Sequence, residues 1–291
     1  MRYRAILRLD IGRDYPDIRT RDNKVLADSN SLVAGCRSWR RMRGPRMVRV
    51  DATVAPQHRW SPHLRGHLLL FDRKPAPAYP ANAGVRLLLT AAFVEVLRLA
   101  GVGWLYPETP RWLLLPALLG ISLLAVPGIA GVKLSQLGFR PWRDWTATEK
   151  SYFCQVVAIA NVVFPIVLAA QLRNRVAQPG MVWSLWNVFM PYLFFGFYQE
   201  LVYRGMVQLE VVRRWGAPIG IFLANVLYTF GPLHWHYFAS RASLALPMFA
   251  SIFVIGLFFG VIYRRSGNLW MVASFHAIGN AYIVWSVGPL H

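Results

Sequence analysis

Three short groups of polar residues interrupt segments that are otherwise apolar enough to cross a membrane. The members of each group lie four or five residues apart, so each group occupies roughly one face of a helix. The groups are Gln199, Glu200 and Arg204; Phe230 and His234; and His276 and Asn280. Charged and amide side chains are costly at bilayer depth, and they usually belong to a functional site.

These side chains are of the types that can hydrolyse an amide bond. A carboxylate and a histidine can take a proton from water, while a second histidine and an amide can hold the oxyanion that forms. The groups contain no Ser or Cys placed as a nucleophile, and the absence of an HExxH pattern excludes a zinc-protease helix of that type. The residues alone leave open whether a metal binds near His234, His236 and His276.

Each group also has a simpler interpretation, which the residues alone leave open. Glu200 and Arg204 form an i,i+4 pair that would neutralise itself within the bilayer. A single histidine such as His234 is more often a hydrogen-bonded residue at the membrane interface. Asn280 shares a helix face with His276 and could simply orient its ring. The catalytic interpretation depends on all three groups converging in one bundle.

The composition indicates a membrane protein. Of the 291 residues, 55% are hydrophobic and 15% are charged, whereas a soluble domain carries about 25% charged residues. The net charge of +19 is concentrated in residues 1–75 and in short loops, where it indicates membrane topology. No recognised nucleic-acid-binding motif accompanies this charge, so we expect no nucleic-acid partner.

Residues 1–80 form a basic leader without sustained periodicity, and we expect it to be mostly disordered. One interpretation is that translation starts downstream, at Met42 or Met47. The alternative is a basic cytoplasmic arm that contacts anionic lipid.

Residues 81–291 predict an all-α, polytopic membrane bundle of about seven transmembrane helices. A bilayer-spanning helix needs about 20 apolar residues. The first predicted span contains Arg86, Glu95 and Arg98, and the prolines Pro127 and Pro191 predict kinks in two others. The predicted spans are 84–106, 112–132, 151–171, 181–211, 217–237, 243–263 and 268–288.

Basic residues in the connections predict the orientation. One set of alternate connections holds eight of them and the opposite set holds four, and the basic leader joins the larger group. The larger set is Lys133, Arg140, Arg143, Lys150, Arg213, Arg214, Arg264 and Arg265; the smaller set is Arg111, Arg173, Arg175 and Arg241. The asymmetry predicts a cytoplasmic N-terminus.

The three groups resemble the motifs of a known family, the CAAX protease and bacteriocin-processing family, also called CPBP or Abi. Residues 199–205, Gln-Glu-Leu-Val-Tyr-Arg-Gly, resemble its EExxxRG motif. Residues 230–234 match its FxxxH motif, and residues 276–280, preceded by Gly-Asn-Leu-Trp at 267–270, match HxxxN. The order and spacing agree, and the resemblance covers residues 181–288.

The resemblance implies an intramembrane glutamic endopeptidase of a bacterial inner membrane. It implies that a motif-one glutamate and His234 activate water, and that His276 and Asn280 stabilise the oxyanion; Gln199, Arg204 and Phe230 would support them. The implied partners are the lipid bilayer and a membrane-associated protein or peptide substrate, anywhere from prenylated CAAX termini to bacteriocin leaders. The resemblance also implies that no metal or other cofactor is needed. It leaves the substrate and the oligomeric state open.

The chain departs from the family at position 199, where Gln replaces the first glutamate of the EE pair. A neutral amide cannot act as a general base. Glu200 could take over this role, or Glu95 on the first span could supply the missing carboxylate. Alternatively, Glu200 only neutralises Arg204, and the protein is a non-catalytic immunity or scaffold protein. A proton-coupled transporter is a third alternative, against which the lack of an evident internal repeat counts.

Overall fold

The structure is a computed structural model, and it describes residues 79–101, 109–235, 238 and 245–287. Apart from Tyr79 and Pro80, the predicted basic leader over residues 1–80 lies outside the described residues. Both proposed downstream starts also lie outside them.

All regular secondary structure in the described part of the chain is helical, which confirms the predicted all-α class. The α-helices are α1 (Ala81–Ala100), α2 (Arg111–Ala125), α3 (Ala147–Val167), α4 (Ala169–Val176), α5 (Met181–Ser184), α6 (Met190–Glu200), α7 (Leu209–Trp215), α8 (Ala217–Phe230), α9 (Ala245–Ser266) and α10 (Leu269–Val287). Short 3-10 helices cover Leu134–Leu137 and Trp142–Asp144.

Within the part of the chain that the structure describes, three helices are long and apolar enough to cross a membrane, namely Arg111–Ala130, Ala147–Val167 and Ala245–Ser266. Helices also lie at the other four predicted spans, but they are shorter or more polar. The α1 helix, for example, carries three charged residues, and α8 has 14 residues. Seven transmembrane helices and a cytoplasmic N-terminus therefore remain predictions.

The wider turns of π-helix occur next to two prolines that the sequence singles out. Pro127 lies inside the π-helix Val126–Ala130, and Pro191 lies two residues after the end of the π-helix Leu185–Phe189. Proline has no N–H to donate and displaces the preceding turn, and a π-turn is one way to absorb that disruption. A third π-helix, Leu201–Gln208, directly follows Glu200 and carries Arg204.

Helix α10 packs most extensively against α6. The close approach depends on Gly196, because a methyl group there would overlap the backbone of Ala277. Leu201, Met206 and Leu269 are fully buried in the core beside this interface. The packing brings the polar residues of α6 and α10 within hydrogen-bonding distance of each other.

Three polar side chains attach helix α9 to the rest of the bundle. They donate to its backbone carbonyls: Asn225 to Phe253 at 2.9 Å, Arg204 to Gly256 at 3.0 Å and Gln208 to Gly260 at 2.8 Å. The acceptors follow one face of α9 at helical spacing. Two of them are glycines, which leave room for the incoming side chains.

Gly256→Ala should lower the melting temperature of the detergent-solubilised protein. The new methyl group would overlap the side chain of Asn225 and lie 3.2 Å from Nη2 of Arg204. Such overpacking costs about 1–3 kcal/mol. Gly120→Ala in α2 is the matched control, because no atom lies within 4 Å of the added carbon. Equal melting temperatures for the two variants would contradict this account of the α9 interface.

Candidate active site

Glu200 is the last residue of α6, and its carboxylate is fully buried between two motif residues. Its Oε1 lies 2.6 Å from Nδ1 of His276 on α10, and its Oε2 lies 3.5 Å from Nε of Arg204. A carboxylate only accepts hydrogen bonds, so the Nδ1 of His276 carries the hydrogen. The contact joins the first and third sequence groups into one carboxylate–imidazole–guanidinium cluster.

Arg204 is completely buried and compensates the charge of Glu200. One of its terminal nitrogens donates to the carbonyl of Gly256, and the guanidinium lies 4.6 Å from the ring centroid of Tyr228. A desolvated cation over an aromatic face gains a favourable interaction. Arg204 therefore connects the π-helix that follows α6 with helices α8 and α9.

Gln199 and Asn280 form a second contact between α6 and α10. The Nδ2 of Asn280 donates to Oε1 of Gln199 at 2.6 Å. His276 and Asn280 lie one turn apart on α10, and they contact the consecutive residues Glu200 and Gln199 of α6. The two amides and the Glu200–His276 pair are thus neighbours on one helix interface.

His234 follows α8, and the backbone holds its ring. Its Nδ1 lies 2.8 Å from the carbonyl oxygen of Tyr228. A carbonyl accepts only, so in the neutral ring Nδ1 carries the hydrogen and Nε2 keeps a lone pair. His234 is 7% exposed. This tautomer is the one in which Nε2 can accept a proton.

Tyr228 is a residue of the site that the sequence interpretation missed. Its hydroxyl lies 3.3 Å from Nε2 of His276, its carbonyl binds His234, and its ring faces Arg204. It therefore contacts a residue from each of the three groups. The sequence gives no sign of this role, because a single tyrosine in an apolar helix forms no motif. Its contacts with the three groups arise only where the helices pack together.

Phe230 lies away from these contacts. Its side chain is 52% exposed, and its ring stacks on Phe249 at 4.6 Å. The supporting role that the resemblance implies for Phe230 has no direct contact with Glu200, His234 or His276 among the described interactions. Its ring instead contacts Phe249 of α9 and Phe238.

Glu95 occupies a separate buried cluster on α1. Its Oε1 accepts from the hydroxyl of Tyr198 at 2.7 Å, and its Oε2 accepts from Arg98 at 3.0 and 2.9 Å. Among the described interactions, none joins this carboxylate to Glu200, His234 or His276, which disfavours Glu95 as the missing base. The contact with Tyr198 instead positions α1 against the helix that carries Gln199 and Glu200.

The described residues contain no group of three or more His, Cys, Asp and Glu side chains arranged to hold a metal ion. His236, the neighbour of His234, lies outside the described part of the chain. The chemistry available from the described residues is that of two imidazoles, one carboxylate, one guanidinium and two amides.

Comparison with known families places these contacts in context. Residues 181–282 match the family model described as Type II CAAX prenyl endopeptidase Rce1-like. The match contains all three motifs and confirms the predicted resemblance to the CAAX protease and bacteriocin-processing family. Searches of curated proteins and of solved structures found no match.

The matched family is a family of proteases, so the class of protein supported here is a peptidase with a protein substrate. The apolar helices, together with this match, support an integral membrane protein.

Arg204→Met should destabilise the protein strongly, because it leaves the Glu200 carboxylate buried without a cation. Breaking a buried pair in this way costs about 3–5 kcal/mol. The double variant Glu200→Gln/Arg204→Met should be more stable than Arg204→Met alone, since it removes both charges. Chemical unfolding in detergent measures the free energies of unfolding that complete this double-mutant cycle.

The exposed pair Arg143–Asp144 provides the control, because it lies at the surface with a separation of 3.7 Å. Its corresponding variants, Arg143→Met and Asp144→Asn, should change the free energy of unfolding little. Simple additivity of the Glu200 and Arg204 variants would contradict an energetic coupling between these two residues.

Proposed function

We propose that the protein is an intramembrane endopeptidase that hydrolyses a peptide bond in a membrane-associated or lipid-anchored protein. The observation that carries this proposal is the buried 2.6 Å contact between Glu200 and His276, next to Arg204. A carboxylate that fixes the tautomer and orientation of an imidazole is a recurring arrangement in hydrolytic sites. Full burial also strengthens the electrostatic interactions that act on a reacting group.

His234 is the general base in this proposal. Its Nδ1 hydrogen is engaged by the carbonyl of Tyr228, so Nε2 accepts a proton from water as the water oxygen bonds to the carbonyl carbon. The carbonyl π electrons move to oxygen, which becomes an oxyanion. When the carbon–nitrogen bond breaks, its electron pair stays on nitrogen, and His234 returns the proton to the departing amine.

Asn280 stabilises the negative charge that develops in this step, next to the buried Glu200–His276 pair. Glu200 holds His276 through Nδ1, which leaves the Nε2 side of the ring towards Tyr228. Asn280 uses one N–H on Gln199 and retains a second N–H for the oxyanion. Glu200 thus acts by orienting His276 and balancing Arg204 rather than by taking the proton itself.

A non-catalytic membrane protein that holds a substrate helix is the second candidate. The observation that favours it is Gln199, an uncharged residue at a position where the family motif has a glutamate. A non-catalytic protein would bind the substrate without producing a new peptide terminus, whereas a peptidase would produce one.

Substitution of Glu200, His234 and His276, each by alanine, tests the peptidase. The purified protein in liposomes would receive two quenched fluorescent peptides, one ending in an S-farnesyl cysteine followed by three residues and one with an unmodified transmembrane segment. We expect the wild type to cleave at least one peptide and each variant to lose at least about 100-fold in kcat, as for other acid–base residues.

Gln155→Ala is the control, because Gln155 is exposed on α3, far along the chain from the three motifs. It should retain wild-type rates, and all variants should elute as folded protein in size-exclusion chromatography. Absence of wild-type cleavage with both peptides, or full activity in all three alanine variants, would contradict the peptidase proposal.

A further inference from the structure

Asn280 on α10 sets the orientation of the side-chain amide of Gln199. The Oε1 of Gln199 accepts a hydrogen bond from Asn280, and the side chain is 3% exposed. Among the described residues, no hydrogen bond from its Nε2 is present. Because its oxygen faces Asn280, Gln199 has its N–H groups left to donate to a ligand that enters the site.

These N–H groups lie on the same helix interface as the charged residues. Gln199 directly precedes Glu200 on α6, and both side chains contact α10, at Asn280 and His276 respectively. A ligand group that reaches the Glu200–His276 pair therefore also approaches the amide of Gln199. The backbone of α6 and its close packing through Gly196 hold this arrangement in place.

The charge balance of the cluster also favours a neutral donor at this position. Glu200 supplies one negative charge and Arg204 one positive charge, with 3.5 Å between their nearest atoms. A carboxylate at position 199 would add a second anion next to Glu200, which opposes the build-up of negative charge on a substrate. An amide donor instead stabilises such a charge.

We propose that Gln199 is a catalytic hydrogen-bond donor that binds the carbonyl oxygen of the scissile peptide bond. This inference rests on the proposed peptidase function. As water adds to the carbonyl carbon, the carbonyl π electron pair moves to oxygen, and the resulting oxyanion accepts hydrogen bonds from the N–H of Gln199 and the second N–H of Asn280. The proton removed from water passes through His234 to the amine. Gln199 accepts and releases no proton in this cycle.

The effect of Gln199→Glu on kcat distinguishes a hydrogen-bond donor at position 199 from a catalytic base weakened by the loss of glutamate. If Gln199 is a donor, its replacement by glutamate removes the N–H groups and lowers kcat. If position 199 is instead a weakened base, glutamate restores the base and raises kcat. Gln199→Met keeps a similar length without N–H groups and without added charge, so it separates loss of the donor from the effect of a new anion.

The experiment measures kcat and KM for these two variants with whichever peptide the wild type cleaves in liposomes. We expect each variant to lose about 100- to 1,000-fold in kcat, the effect of removing one oxyanion donor, with KM changed much less. Gln155→Glu is the matched control: its amide also makes one hydrogen bond, to Ser151 at 3.0 Å, but it is exposed on α3. It should retain the wild-type kcat.

A faster or unchanged Gln199→Glu enzyme would overturn the proposal, as would an unchanged kcat in Gln199→Met. If Gln199→Glu does not fold, Gln199→Met alone decides, because it introduces no charge. These outcomes differ from failure of the peptidase function itself, which would appear as no wild-type cleavage that depends on Glu200.

Discussion

The carboxylate of Glu200 is fully buried, and the contacts that compensate its charge determine how the site is arranged. A buried carboxylate without a partner would destabilise the fold by several kcal/mol. Arg204 supplies the opposite charge, and His276 donates to the other oxygen. Arg204 in turn needs the ring of Tyr228 and the carbonyl of Gly256. Helices α6, α8, α9 and α10 therefore meet around a single charge.

This arrangement gives the motif residues roles that depend on tautomers. His276 donates from Nδ1 to Glu200, while His234 donates from Nδ1 to a backbone carbonyl. The two rings are thus held in defined orientations by different partners, one a side chain and one the main chain. The carboxylate contacts the histidine of the third motif, whereas the family resemblance leads one to expect a glutamate working with His234. Because position 199 is Gln, Glu200 is the one carboxylate of the first motif, and it contacts His276.

Much of the architecture is predictable from local sequence features. Apolar segments of about 20 residues predict helices, and helices occur at each of the seven predicted spans. Pro127 and Pro191 predict disruption, and π-helices lie beside both. The extent of the site is less predictable. Tyr228 carries no motif signal, and Phe230 is part of a motif although its side chain faces outward.

The sequence by itself determined the helical class, the family resemblance and the three groups of residues, because each of these depends on residue type and on spacing along one helix. Only the tertiary structure decided which residues of different helices pair. It joins Glu200 with His276, Gln199 with Asn280 and both histidines with Tyr228. Such pairings depend on helix packing distances and side-chain directions, as at the close approach of Gly196 to Ala277. Spacing within one segment carries no information about them.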